Sequence, residues 1–359
     1  MSSNSDAPTM KLLILGGTQF LGRHMAEQAL AAGHEVTLFN RGNQGRLLAG
    51  VEQLQGDRRG DLSILRGRRW DAVLDPSCYL PSAARRSAEL LRDAVEHYCL
   101  VSTISVYPTI TADTDEASAV AELSAAELDQ IEAQAQAQIG TKGSQSGGGY
   151  GAAYGGLKVL CERTVQGLMG ERALILRPGF IVGPYDYSPR LPYWLQRLAD
   201  SARDGETVLA PGRPERPVRL IDARDIARFA LQRAEARQGG LFNTVGADGL
   251  NMGGLLEAAH SACGSKAELV WLPDEGLLAA GIQPFADLPY WLPEADNAMM
   301  DMRNPAAEVA GLRFTALAQT LADTAAWLNA GPRPSSPCLS RERERALLEA
   351  WRPAALVNP

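Results

Sequence analysis

One stretch constrains this chain more than any other. Lys11–Leu15 is a short apolar run that stops at Gly16-Gly17. A helical pattern follows through Met25, Ala26, Ala29 and Leu30 to Gly33, and Glu35–Asn40 is rich in β-formers. Strand, glycine turn, helix and strand within about 30 residues make a βαβ unit, two parallel strands joined by a crossover helix. The rhythm continues downstream. Val51–Gln55, Ala72–Leu74, Cys99–Ser102 and Ala173–Leu176 read as further short strands, with helix-like runs over Ser82–Tyr98 and Tyr154–Met169. Alternation of this kind requires a parallel sheet covered by helices on both faces.

The expected fold class is therefore α/β: a Rossmann-like doubly wound parallel sheet with a smaller C-terminal substrate lobe. A chain of 359 residues is long enough for both. Residues 1–9 read as a disordered N-terminus and 10–183 as mainly the Rossmann unit. Residues 184–330 read as mainly the lobe, with some strands and helices returning to the larger sheet, and 331–359 as a tail. Glu122–Gly149 shifts to Ala, Gln, Ser and Gly, which predicts a short helix leading into a flexible insert. Pro184–Trp194, Ala210–Pro217 and Pro284–Pro293 read as lobe loops that close over the strand ends, and Arg341–Trp351 as a helix in the tail.

Composition excludes several classes. Hydrophobic residues make up 45% and charged residues 21%, so the chain folds around a core. The net charge of -7, without a basic stripe, argues against nucleic-acid binding. The five cysteines lie at no metal-ligand spacing and the four histidines form no cluster, so no metal is expected and the thiols read as reduced, in a cytoplasmic protein. Met1–Thr9 lacks the apolar run of a signal peptide, and no stretch is long and apolar enough for a membrane span.

The glycine turn reads Gly16-Gly17-Thr18-Gln19-Phe20-Leu21-Gly22. Backbone N–H groups at a helix start bind anions, and glycines let that backbone approach a pyrophosphate. Gln19 stands where a G-x-x-G-x-x-G spacing puts glycine. Either the diphosphate sits displaced there, or the Gln19 amide donates to it. At the end of the second strand, where a carboxylate would grip the ribose hydroxyls, the chain has Asn40 and then Arg41. A guanidinium suits a 2′-phosphate, so NADP(H) is the expected cofactor, with NAD(H) as the alternative. Asp57 and Arg58, after the third strand, are placed beside the adenine. Pro76, Ser77, Pro178, Gly179, Phe180 and Ile181 complete the expected cofactor set.

Tyr154-Gly155-Gly156-Leu157-Lys158 opens a helix, so its tyrosine and lysine, at i and i+4, share one face. An ammonium beside a phenol favours the phenolate and makes it a usable acid or base. Val101-Ser102-Thr103-Ile104-Ser105-Val106-Tyr107 follows a central strand and offers hydroxyls to the same place.

Together, the glycine turn, the hydroxyl-bearing strand end and the Tyr/Lys helix resemble the extended short-chain dehydrogenase/reductases, the NAD-dependent epimerase/dehydratase group. The resemblance runs from Lys11 to about Leu328 and includes Arg177–Pro184 and Asp222-Ala-Arg-Asp225. It implies that Tyr154 transfers a proton, that Lys158 serves Tyr154 and the nicotinamide ribose, and that Thr103, with Ser102 as its neighbour, holds the reacting oxygen. Asp225 is similar to the family's acid before the late helix, in a structural role. Family dehydratases carry an Asp-Glu pair where this chain has Ile104 and Ser105, and many UDP-sugar epimerases carry an asparagine where it has Phe180. These departures favour a reductase or dehydrogenase of a small-molecule carbonyl or hydroxyl, with an epimerase of a sugar-like substrate as the alternative. A non-catalytic NADP-binding sensor is the rival from another class. Tyr185–Trp194 and Phe285–Trp291 either wall a substrate pocket or pack the lobe's core. Arg190, Arg213, Arg216 and Arg219 either bind an anionic substrate or serve the surface. The family often forms homodimers, which the resemblance extends to this chain.

Overall fold

A computed structural model describes residues 8–43, 48–139, 147–331 and 336–355. Part of the N-terminal stretch and residues 140–146 of the expected insert lie outside them. The chain runs β1 (Lys11–Leu15), α1 (Phe20–Ala31), β2 (Glu35–Asn40), β3 (Val51–Gln55), β4 (Ala72–Asp75), α2 (Pro81–Leu91), β5 (His97–Val101), α3 (Ala125–Ala137), α4 (Tyr154–Met169), β6 (Ala173–Pro178) and β7 (Phe180–Val182). It continues through α5 (Arg190–Asp204), β8 (Val208–Pro211), β9 (Leu220–Asp222), α6 (Ala223–Glu235), β10 (Gly240–Thr244), α7 (Met252–Cys263), β11 (Leu269–Leu272), α8 (Asp274–Ala279), α9 (Pro305–Val309), α10 (Leu317–Ala330) and α11 (Arg341–Ala355).

Among the described residues, seven strands form one sheet in the order β10-β6-β5-β4-β1-β2-β3. Every pairing in it is parallel. This is the expected Rossmann-like α/β fold. Helices α1 and α6 pack together on one face, where Met25, Ala26 and Ala29 meet Phe229 and Ala230. Helices α2 and α4 cover the other face through Ala84, Ala88, Cys161 and Val165. Strands buried on both sides read as continuous apolar runs, as Leu12–Leu15 and Ala72–Leu74 do. A separate core gathers α5, α7 and α10 around Trp194, Leu198, Leu255, Tyr290, Trp291 and Leu321, beside the two-stranded β11–β8 sheet.

Three local expectations need correction. The helix read over Ser82–Tyr98 ends at Leu91, and its last residues form β5. His97 and Tyr98 are fully buried between β4 and β6, and tertiary burial overrides the helical pattern there. Pro184–Trp194 is not all loop, because α5 begins at Arg190. Pro192 sits in that helix's first turn, where a missing N–H costs nothing. Ala210–Pro217 likewise begins inside β8, which pairs with β11.

Candidate active site

The crevice lies where the strand order reverses, between β1 and β4 at their carboxyl ends, as expected for a ligand site in an open α/β sheet. Gly17, at φ 82°, packs so tightly that a Cβ there would lie 2.5 Å from Leu38. A Cβ on Gly22 would lie 2.9 Å from Gly17 N and 3.1 Å from Pro76 Cγ, so only glycine lets α1 sit down on the turn. Gln19 is extended, at φ -130° and ψ 143°, a conformation open to any residue, which explains why glycine is not needed there. Its side chain is exposed and makes no capping bond, and the first turn of α1 carries no acidic residue. The first N–H groups of α1 therefore have no side-chain acceptor and suit an anion. Ser77 Oγ donates to Leu15 O at 3.3 Å, which fixes Pro76 and Ser77 against the turn. Thr18 is half-buried, while the side chains of Phe20 and Leu21 are buried in the core. The glycine cradle, the uncapped helix start and the strand ends fit a dinucleotide.

At the end of β2, Asn40 supports the turn. Its Nδ2 donates to Gly16 O at 3.3 Å, and its Oδ1 accepts from Gly42 N at 2.8 Å. Arg41 follows, and its carbonyl accepts from Gln55 Nε2. Burial opposes charge on Asp57, but hydrogen bonds from Arg59, with the fields of Arg59 and Arg41, hold its carboxyl below the ordinary value. Arg58 turns inward instead. It forms a forked pair with buried Asp75 at 2.5 and 2.7 Å, and Tyr98 also donates to that carboxylate. Its guanidinium thus ties the β3 loop to β4.

Tyr154 opens α4 and is half-buried, whereas Lys158 is 1% exposed. Lys158 Nζ donates to Cys78 O at 2.6 Å and Val101 O at 2.7 Å, so it joins the ends of β4 and β5. An ammonium has three N–H donors, which leaves one beyond these two carbonyls. Gly155 sets the approach of the helix: a Cβ there would fall 2.0 Å from Ser105 O. The tyrosine turn is thereby pressed against the Thr103–Ser105 segment. Thr103 Oγ1 accepts from Ser105 N at 3.1 Å and donates to Ser105 Oγ at 3.2 Å. Ser102 Oγ is buried without a hydrogen-bond partner. Behind α4, Arg177 forks onto Glu162 at 3.0 and 2.7 Å and donates to Tyr107 Oη at 2.8 Å, a buried brace between helix and sheet.

Two residues at this site escaped sequence reading. The Tyr79 ring lies 6.3 Å from that of Tyr154 and 5.6 Å from Lys158 Nζ. Burial, then the neighbouring phenols of Tyr187 and Tyr154, push its pKa up, so it is a neutral donor. Its position after β4, beside Pro76 and Ser77, was the available signal. Asp186 is the second. It is 1% exposed and its Oδ2 has no partner. Burial pushes its pKa up to about 6 against the field of Arg190. Nothing in the local sequence separates it from a loop carboxylate.

The remaining expected residues divide. Pro178 ends β6, Gly179 packs on Val245, and Ile181 joins the core beside α6. Phe180 turns instead to Phe285, 4.8 Å between ring centres, and to Tyr290, 6.2 Å. Trp194 and Trp291 are fully buried core residues, whereas Phe180 and Phe285 are only partly buried. Arg213 pairs with Glu294, Arg216 with Asp274 and Glu294, and Arg219 with Asp248. Asp225 accepts from Thr315 N and Oγ1 and so anchors the approach to α10. Among the described residues, no group of three potential ligands could hold a metal ion, and no helix is long and apolar enough to cross a membrane.

The fold and this crevice define an enzyme of the extended short-chain dehydrogenase/reductase type. The family model for the NAD dependent epimerase/dehydratase family matches residues 12–244, more than half of the chain, and the protein belongs to that family. Solved structures agree in fold. The Bordetella bronchiseptica enzyme WbmH, solved with NAD+, is 17% identical, with a TM-score of 0.61 over 89% of this chain and 99% of that one. UDP-glucuronic acid 4-epimerase from Bacillus cereus, solved with NAD, is 14% identical, with a TM-score of 0.60 over 91% and 99%. UDP-glucose 4-epimerase from Thermotoga maritima, solved with UDP-glucose, is 16% identical, with a TM-score of 0.61 over 89% and 99%. No curated protein matches the chain by sequence.

Proposed function

We propose that this protein is an NAD(P)-dependent epimerase of a hydroxylated, sugar-like small molecule. The observation that supports the reading is the close approach of Gly155, the neighbour of Tyr154 on α4, to Ser105, two residues after Thr103. The family and the activities named for the solved neighbours support epimerisation over the reductase first expected. Ile104 and Ser105 supply no carboxylate for a dehydratase.

The backbone of Gly16–Gly22, with Pro76, Ser77, Asn40, Arg41, Asp57, Gly179 and Lys158, would hold the nucleotide. When bound, the nicotinamide supplies a hydride acceptor and donor. Tyr154 takes the proton from the substrate hydroxyl and returns it to the same oxygen. Thr103 Oγ1, or the unpartnered Ser102 Oγ, holds that oxygen in place. Lys158, anchored on two carbonyls, would have its remaining N–H to offer to the phenol or to the nucleotide ribose. The β2 end has no carboxylate to repel a 2′-phosphate, and this supports NADP(H).

The test mixes the nucleotide-loaded protein with candidate sugars and follows nicotinamide absorbance. Transient reduction of bound nucleotide without net consumption is expected, slowed at least about 100-fold in Tyr154→Phe with nucleotide binding kept. Stoichiometric consumption of free cofactor would establish a reductase instead. Failure of NAD(H) and NADP(H) alike to bind would end the enzymatic reading.

A further inference from the structure

The segment between Pro184 and α5 bridges the glycine turn and the smaller core. His24, on α1, donates to Pro184 O at 2.9 Å, Arg23 lies 3.7 Å over the Tyr185 ring, and Tyr187 meets Phe20 edge-on at 6.1 Å. Among the described non-glycine residues, five have positive φ, and Phe20, Tyr185, Phe285 and Tyr290 are four of them. Bulky residues avoid that region, and such strain persists where surrounding structure imposes it, commonly at ligand sites. Two buried polar atoms here have no partner: Asp186 Oδ2 and Tyr290 Oη. The Leu191 N–H lies near the Tyr290 phenol without completing a hydrogen bond of ordinary geometry. Such atoms are costly unless a ligand satisfies them. Asp186 Oδ1, by contrast, is fixed by Ser188 N at 2.8 Å.

We propose that Asp186 is a substrate-recognition residue whose Oδ2 accepts a hydrogen bond from a hydroxyl of a ring lying against the partly buried Phe180 and Phe285, and that the substrate is a compact polyhydroxylated compound rather than a nucleoside diphosphate sugar. The inference rests on the reading of the protein as an epimerase and names its substrate class. Charge supports it. A diphosphate needs cations, yet Arg213, Arg216 and Arg219 are each held by a carboxylate. Beside these three, Arg190 has no carboxylate at ion-pair distance within the described residues. It lies 5.6 Å over Phe180 and in the field of Asp186, so one cation faces one acid there. Apolar ring faces with convergent polar acceptors match the alternating C–H and O–H surface of a polyol.

The experiment uses protein loaded with NAD(P)+ and follows reduction of the bound nucleotide. One set of probes contains free hexoses, pentoses, myo-inositol and hexose monophosphates. The other contains UDP, UDP-glucose and dTDP-glucose. Reduction by a member of the first set is expected, with no binding of UDP. Asp186→Asn should raise KM at least tenfold with kcat changed less than threefold. Nucleotide binding should stay unchanged in this variant. Reduction only by nucleoside diphosphate sugars, tight binding of UDP, or an unchanged KM in Asp186→Asn overturns the inference and leaves the epimerase reading intact. Reduction by neither set overturns the epimerase reading, and the inference with it.

Discussion

Alanine at Gly155 should disable this enzyme, while the same replacement at Gly167, three turns along the same helix, should strengthen it. A Cβ at Gly155 would sit 2.0 Å from Ser105 O, and Cβ atoms essentially never approach closer than 3.0 Å. The helix start and the Thr103–Ser105 segment must therefore separate by about 1 Å. Overpacking of this kind costs about 1–3 kcal/mol. The helical gain of alanine over glycine returns only about 0.5–1 kcal/mol. The net effect at Gly155 is therefore a loss of up to about 2.5 kcal/mol. Gly167 is exposed, with no atom within 4 Å of the added Cβ, so it shows only the gain. Catalysis amplifies the difference, because a misplacement of about 1 Å at reacting groups costs on the order of 100-fold in rate. Urea unfolding of both variants, with cofactor titration and turnover alongside, measures each part. Gly155→Ala should bind nucleotide normally, unfold at lower urea and lose activity. If it matches Gly167→Ala in stability and turnover, the contact on Ser105 does not position Tyr154.

Other outcomes follow from the same geometry. Glu162→Gln should cost about 3–5 kcal/mol in urea unfolding by leaving buried Arg177 without its carboxylate, whereas replacing both partners with apolar residues of similar volume should recover most of the loss. Asp186, raised from 3.8 to about 6 by burial, keeps an extra proton in the folded state between those values, so its stability contribution falls as pH rises through that window. At about 1.4 kcal/mol per pKa unit, Asp186→Asn should be up to about 3 kcal/mol more stable than the parent at pH 8 and no more stable near pH 3, read from melts at both. Burial lowers His97 from 6.5 to about 4, so the unfolded chain takes up its proton first and stability is lost as pH falls between those values. His97→Gln should flatten that limb of the pH–stability curve. Arg41→Ala should weaken NADP(H) more than NAD(H) in parallel titrations, and equal weakening would remove Arg41 from 2′-phosphate recognition.

Much of the crevice was legible because its devices are local. The glycine turn, the i, i+4 spacing of Tyr154 and Lys158 and the apolar strand runs each depend on residues a few positions apart. Backbone conformation and burial period act at that range. The failures were of the opposite kind. His97 and Tyr98 fit a helix by pattern and became a strand because two neighbouring strands bury them. Arg58 looked available to the adenine and is instead consumed by Asp75, a partner invisible before the sheet is assembled. The lobe arginines were candidates for an anion until the fold gave each of Arg213, Arg216 and Arg219 a carboxylate.

The sequence by itself determined the parallel α/β sheet, the glycine turn and the shared helix face of Tyr154 and Lys158, since all three are written in short-range spacing. Only the tertiary structure decided that Gly155 must be glycine, that Tyr79 lies beside Tyr154 and that Asp186 is left with an oxygen to offer. Each of these is a relation between segments far apart in the chain, set by how closely folded surfaces approach and which polar atoms their packing cuts off from water.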